Sequence, residues 1–137
     1  LLDHFSKNIE LNAQDYNGMT AFMFACLEGH KDVVELLLDC PEIQLHIRDK
    51  DGNTPLHTAA ENGNLNITQL IIETIEDKNP RNNNGETPLH TASFDGNIKI
   101  VELILKNISD KNPGNQYMQT PLHYAALNGH IEIYKIS

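Results

Sequence analysis

One tetrapeptide returns three times in this chain at a fixed interval, and that interval limits what the chain can become. Thr-Pro-Leu-His stands at 54–57, 87–90 and 120–123, with Ala59, Ala92 or Ala125 two residues beyond each His and Gly63, Gly96 or Gly129 after that. A further copy, Thr20-Ala21-Phe22-Met23, keeps Ala25 and Gly29 in phase but lacks the Pro and the His. The four threonines are separated by 34, 33 and 33 residues. Self-similarity at this period marks a stacked array, in which no unit can bury its own apolar stripe and each depends on its neighbours.

Each copy has a physical reading. Thr before Pro is a helix start: the hydroxyl can cap free N–H groups, and Pro suits the first helical position because its missing donor is not needed there. Leu56, Ala59 and Ala60 then form one stripe of a short helix. Gly63 supplies a left-handed terminator, and Asn64 can cap a second helix carrying Ile67, Leu70, Ile71 and Ile75. Counterparts of that second stripe are Val33, Leu36 and Leu37, and Ile100, Leu103, Ile104 and Ile108. Asn17-Gly18, Asp51-Gly52 and Asn84-Gly85 are tight-turn dipeptides between units. The unit is turn, short helix, turn, longer helix. Small residues line the first helix (Ala59, Ala60, Ala92, Ser93, Ala125, Ala126), so its neighbours can approach closely.

In these features the chain resembles the ankyrin-repeat proteins, whose hallmark is Thr-Pro-Leu-His-x-Ala-Ala-x-x-Gly at a period of 33. The resemblance covers essentially the whole chain and implies an all-α solenoid of stacked helix-turn-helix units joined by hairpin-like loops. In that register 1–14 is the tail of a truncated repeat, 15–48, 49–81 and 82–114 are full repeats, and 115–137 is a partial one. Leu1 and Leu2 read as the close of a second helix, and Ile131, Ile133, Tyr134 and Ile136 as the beginning of one. Polar caps keep such stacks soluble and none is evident, which implies a fragment of a longer array with apolar ends open to end-to-end association. Three departures from the pattern carry costs. Ala21 and Met23 should weaken the first helix start by up to about 1 kcal/mol. Met118, where the other units have Gly, must reshape its tip or adopt a positive φ at roughly 1 kcal/mol. One extra residue near Pro41-Glu42 reads as a loop insertion.

Composition excludes several function classes. A net charge of −9 argues against nucleic acid, which needs a concentrated positive field. No apolar run approaches the ~20 residues that span a bilayer. Cys26 and Cys40 make no disulfide framework and fit a reducing compartment, hence an intracellular location, cytoplasmic or nuclear. Cys26 takes the place of Ala60 and reads as a small core residue, while Cys40 precedes Pro41 in a loop. No nucleophile elbow or phosphate loop is present, and neither catalysis nor a cofactor is expected. His57, His90 and His123 recur as a metal ladder might, but ligands must converge, and these are displaced by a whole helix pair. The resemblance implies that they bond backbone groups of the turns and link adjacent repeats. It also marks Asn12, Asn79 and Asn112 as positions where ankyrin repeats can be hydroxylated.

Recognition is the remaining route. The resemblance implies contact positions on the hairpin tips and the exposed side of the first helices. In the first repeat these are Tyr16, Asn17, Met19, Leu27 and Glu28; in the second, Lys50, Asp51, Asn53, Glu61 and Asn62. The third supplies Asn83, Asn84, Glu86, Phe94 and Asp95, and the fourth Gln116, Tyr117, Gln119, Leu127 and Asn128. Tyr16, Met19, Leu27, Phe94, Tyr117 and Leu127 are the residue types that anchor interfaces. The first and second repeats carry −4 and −3 of the net charge, which would steer a basic partner toward them. The expected function is a protein-interaction module that takes a partner protein or peptide on its concave surface. The alternative is a regulatory or assembly segment of a larger multidomain protein whose activity lies elsewhere.

Overall fold

Every short helix begins where a threonine holds extended backbone, and every helix pair then follows the same course. The computed structural model describes residues 9–136. Among these residues eight helices form four pairs: α1 (Ala21–Glu28) with α2 (Lys31–Leu38), α3 (Pro55–Asn62) with α4 (Leu65–Thr74), α5 (Pro88–Asp95) with α6 (Ile98–Lys106), and α7 (Pro121–Leu127) with α8 (Ile131–Ile136). No strand occurs among the described residues.

Thr20, Thr54, Thr87 and Thr120 are the N-caps of the four short helices, and Pro occupies the first helical turn of α3, α5 and α7. In those three a capping box forms with His in the role usually taken by Glu or Gln. At α1 the box is absent, and only the Thr20 hydroxyl accepts from Met23 N, at 3.2 Å. The weaker start expected from Ala21 and Met23 is visible here. Asn64 caps α4 by accepting from Ile67 N at 2.9 Å.

The tips are built by one side chain each. Oδ1 of Asp15, Asp49, Asn82 or Asn115 accepts two backbone N–H groups, two and four residues onward, at 2.8–3.0 Å. This Asx turn makes the tip rigid without strands. Successive tips then join by single backbone bonds of 2.9 Å: Lys50 N to Asn17 O, Asn83 N to Asp51 O, and Gln116 N to Asn84 O. Gln14, Arg48 and Arg81 clasp them from behind, each donating to a carbonyl of its own tip and to one in the next unit. Of the two courses open to it, a reshaped tip or a positive φ, Met118 takes the second, with φ = 62°.

The core runs continuously along the stack from Phe22 to Ile133. Small side chains at the first helices (Ala59, Ala60, Ala92, Ser93, Ala125) are buried, and these helices pack far more closely on one another than the second helices do. The stack therefore bends toward the first-helix side.

Two placements need correction. Val33 and Leu36 were assigned to the buried stripe of α2, yet they are 44% and 40% exposed, and Val34 is the fully buried residue. The pattern along the stack gives the reason. Thirteen residues beyond the threonine, Ile67, Ile100 and Ile133 face the preceding pair and are at most 2% exposed, as Val33 would be with such a neighbour. One residue later, Val34, Thr68 and Val101 face the following pair. Cys40 lies in the loop before Pro41, as expected, and is buried there; its thiol donates back to Leu36 O at 3.7 Å. The readings placed on Leu1 and Leu2 lie outside the described residues.

Candidate functional site

The recurring histidines are consumed by the architecture. His57 Nδ1 accepts the Thr54 N–H at 3.1 Å and lies 3.0 Å from the Thr54 hydroxyl, so that nitrogen carries no proton. The opposite nitrogen must then bear the hydrogen, and Nε2–H donates to Glu86 O of the next unit at 2.9 Å. His90 repeats the arrangement with Thr87 and Gln119 O. Burial favours the neutral ring, pushing His57 down to about 4 and His90 in the same direction, against the opposing pull of their backbone acceptors. His123 keeps the Thr120 half of the pattern and is exposed. Cys26 is equally unsuited to chemistry: burial raises its thiol to about 12.

On the inside of the bend lies a groove of about 580 Å³, spanning α3, α5 and α7 and the tips before them. Seven of the sequence-predicted contact residues line it: Asn53, Glu61, Glu86, Phe94, Asp95, Gln119 and Leu127. Tyr16, Lys50, Asp51 and Tyr117 instead stand exposed away from it on the tips, as do Asn17, Asn83, Asn84 and Gln116, and Met19 and Leu27 are half-buried. Glu28, Asn62 and Asn128 are exposed at helix ends without lining the groove.

Several of these side chains hold the stack together. Asn62 and Asn128 donate from Nδ2 to Leu27 O and Phe94 O of the preceding unit, each at 2.8 Å. Asn83 reaches Lys50 O at 2.9 Å, and Gln116 donates to Asn84 Oδ1 at 3.3 Å. Asn82 ties Asn53 to Glu86, donating to both. Asn12 and Asn79 likewise join one connecting segment to the next, through Glu42 O, Gln44 N and Asp110 O.

Tyr124 was missed by the sequence reading and lines the groove. It occupies the variable position of the Thr-Pro-Leu-His-x-Ala motif, filled by Thr58 and Thr91 in the preceding units, and that variability was the available signal. Its hydroxyl donates to Glu86 Oε2 and accepts from Asn115 at 2.9 Å. The ring meets His90 and Phe94 edge to face, at centroid distances of 5.0 and 6.0 Å.

The carboxylates of the groove divide in two. Burial alone would raise Glu86, but the bonds from Asn82 and Tyr124 and the nearby histidines prevail and hold it below its ordinary value. Glu61 is raised by burial and then by the charges of Asp95 and Asp49; Asp95 is raised by burial, partly opposed by His130. Among the described residues the ion pairs are Lys31–Glu35 at 3.5 Å and Lys135–Glu132 at 3.4 Å, so neither Glu61 nor Asp95 stands in an ion pair. The groove thus sets two uncompensated acids beside Phe94, which is 44% exposed, and Leu127, which is 75% exposed. Such an arrangement can seat a side chain; it offers no activated nucleophile.

Comparison with known proteins matches the chain to the family model for ankyrin repeats (3 copies), at residues 1–82, 43–115 and 74–136. Inversin from Danio rerio is 40% identical over 60 residues, covering 43% of this chain and 6% of that protein. The photoreceptor ankyrin repeat protein of Homo sapiens is 36% identical over 72 residues, covering 53% and 16%. A putative ankyrin repeat protein from Rickettsia bellii is 31% identical over 75 residues, covering 55% of this chain and 73% of that one. The chain thus spans only a small part of the first two relatives. No helix among the described residues is long and apolar enough to cross a membrane.

Proposed function

The chain belongs to the ankyrin-repeat family, and from that premise we propose that it holds a partner protein or peptide in the groove on the inside of its bend. The observation that carries this reading is the display of Phe94 and Leu127 along a groove in which Asn82 bonds Asn53, His57 bonds Glu86 O and His90 bonds Gln119 O across unit boundaries. Exposed apolar side chains on a rigid frame lose little freedom on binding, so their burial converts efficiently into affinity. Tyr16 and Tyr117 on the tips would extend the contact beyond the groove. Where the chain forms part of a longer protein, it would act as that protein's docking segment.

Charge adds a direction. The first two units carry most of the negative charge, but Asp32, Glu35 and Asp39 belong to or follow the outer helix α2. Steering of a basic partner would therefore act over a broad field, while contact is made at Glu61, Glu86 and Asp95. Association should slow as salt rises from low to physiological concentration; an unchanged on-rate would refute steering.

Quantitative capture with the immobilised chain tests the main reading. Phe94→Ala and Leu127→Ala, each folded by circular dichroism, should release the retained partner, with an affinity loss of about tenfold or more. Wild-type retention by both variants would refute the groove as the site.

A second reading, self-association, has its own observation. Ala126 and Tyr134 are exposed, Tyr134 by 68%, whereas their equivalents Ala60 and Ser93, and Thr68 and Val101, are buried against a following pair. A second copy could cover that face. Sedimentation showing a monomer at high concentration would overturn this.

A further inference from the structure

The groove has a chemical polarity that narrows its occupant. Seven residues beyond each threonine, the stack places Leu27, Glu61, Phe94 and Leu127 in a row, one from each first helix. Along that row an acid is followed by an aromatic ring and then by an aliphatic side chain. Asp95 stands beside Phe94 and close enough to Glu61 to perturb it. Both carboxylates are raised chiefly by burial; among the described residues neither stands in an ion pair, and only Asp95 is eased, in part, by His130. Arg48 and Arg81 are committed to carbonyls of the tips, and Lys50 stands exposed on a tip without lining the groove.

We propose that the groove is a seat for an arginine side chain of an extended peptide, held between Glu61 and Asp95 with its guanidinium against Phe94, and with an apolar side chain of the same peptide on Leu127. This rests on the reading of the groove as the partner site. Arginine is favoured over lysine because a planar guanidinium can bond carboxylates at its edge while its face lies on a ring, and it sheds water more readily than an ammonium. Spacing follows from geometry. Neighbouring packed helices lie about 8–10 Å apart, and an extended peptide advances about 3.3 Å per residue. The arginine and the apolar residue are therefore about three positions apart in the peptide sequence.

A phage-displayed library of random dodecapeptides, panned against the whole chain, tests this. The enriched peptides should carry arginine with an apolar residue about three positions away. Resynthesis with citrulline, which keeps the shape and removes the charge, should weaken binding at least tenfold, and lysine should weaken it less. In Glu61→Gln/Asp95→Asn the discrimination between arginine and citrulline should vanish, while Phe94→Ala should weaken both peptides. Enrichment of peptides without arginine that Phe94→Ala still releases would overturn the arginine seat and leave the groove standing. Discrimination that survives in Glu61→Gln/Asp95→Asn would overturn the seat as well. Peptides indifferent to Phe94→Ala, or no enrichment, would overturn both.

Discussion

The inner pairs, α3–α4 and α5–α6, and the outer pairs, α1–α2 and α7–α8, are written in nearly the same motif yet differ in what that motif accomplishes. In the inner pairs the imidazole of His57 or His90 joins its own helix start to the next tip. In the last pair His123 performs only the first of these tasks, and in the first pair Met23 fills the volume without either bond. The same contrast runs through the second helices: Val33 is exposed where Ile67 is buried, and Tyr134 is exposed where Val101 is buried. A repeat residue therefore has no fixed worth. Its contribution depends on whether a neighbour completes its contacts, as expected of a quasi-one-dimensional stack.

Substitution should expose that contrast most strongly. His57→Ala strands the Thr54 N–H and Glu86 O together and opens a cavity, at about 3–4 kcal/mol by urea unfolding. His123→Ala should cost below about 1 kcal/mol, since that ring is exposed and makes the shorter set of bonds. Equal costs would break the comparison.

Acid should act through the inner pairs too. His57 titrates near 6.5 when unfolded and at about 4 when folded, so between those values the unfolded chain binds the extra proton. Its contribution is complete above pH 6.5 and lost as pH falls toward 4, by about 3 kcal/mol. His90 shifts the same way and adds to the loss. Unfolding free energies at pH 7.5 and 4.5 check this, and the loss should persist in His123→Ala.

The tips give a smaller contrast. At Gly85, φ is 77° and an added Cβ would stand 2.9 Å from Gln116 N, so Gly85→Ala should destabilise by about 2 kcal/mol or more. Met118 holds φ = 62° in the last tip, and Met118→Gly should stabilise by about 1 kcal/mol. The smallest effect belongs to the first helix start. Ala21 is exposed at the first helical position, where Ala21→Pro should add about 0.5 kcal/mol. Thermal or urea melts resolve both gains.

The helices and the family were legible in the sequence because Thr-Pro starts and Gly stops are local signals, and four copies in phase exclude accident. Individual exposure was less legible. Val33 matches Ile67 in register, and among the described residues a helix pair precedes Ile67's pair but not that of Val33. The Asx turns at Asp15, Asp49, Asn82 and Asn115 could have been inferred from the recurrence of Asp or Asn two residues before each turn dipeptide, but the bonds between tips could not. For the candidate site, Phe94, Glu61 and Asp95 followed from family register. Tyr124 escaped because its position looked like helix interior, and the stacking roles of Asn62, Asn83 and Asn128 depend on carbonyls more than thirty residues away.

One consequence of the tips concerns how such a molecule can be lengthened in evolution. Each cradle is written within five consecutive residues and grips its successor through a main-chain bond indifferent to side-chain identity. Duplicating one period of the gene would therefore yield a copy that docks at once, ready for its outward-facing letters to drift. The surplus of asparagine and aspartate at these corners is what makes growth by copying cheap for this architecture.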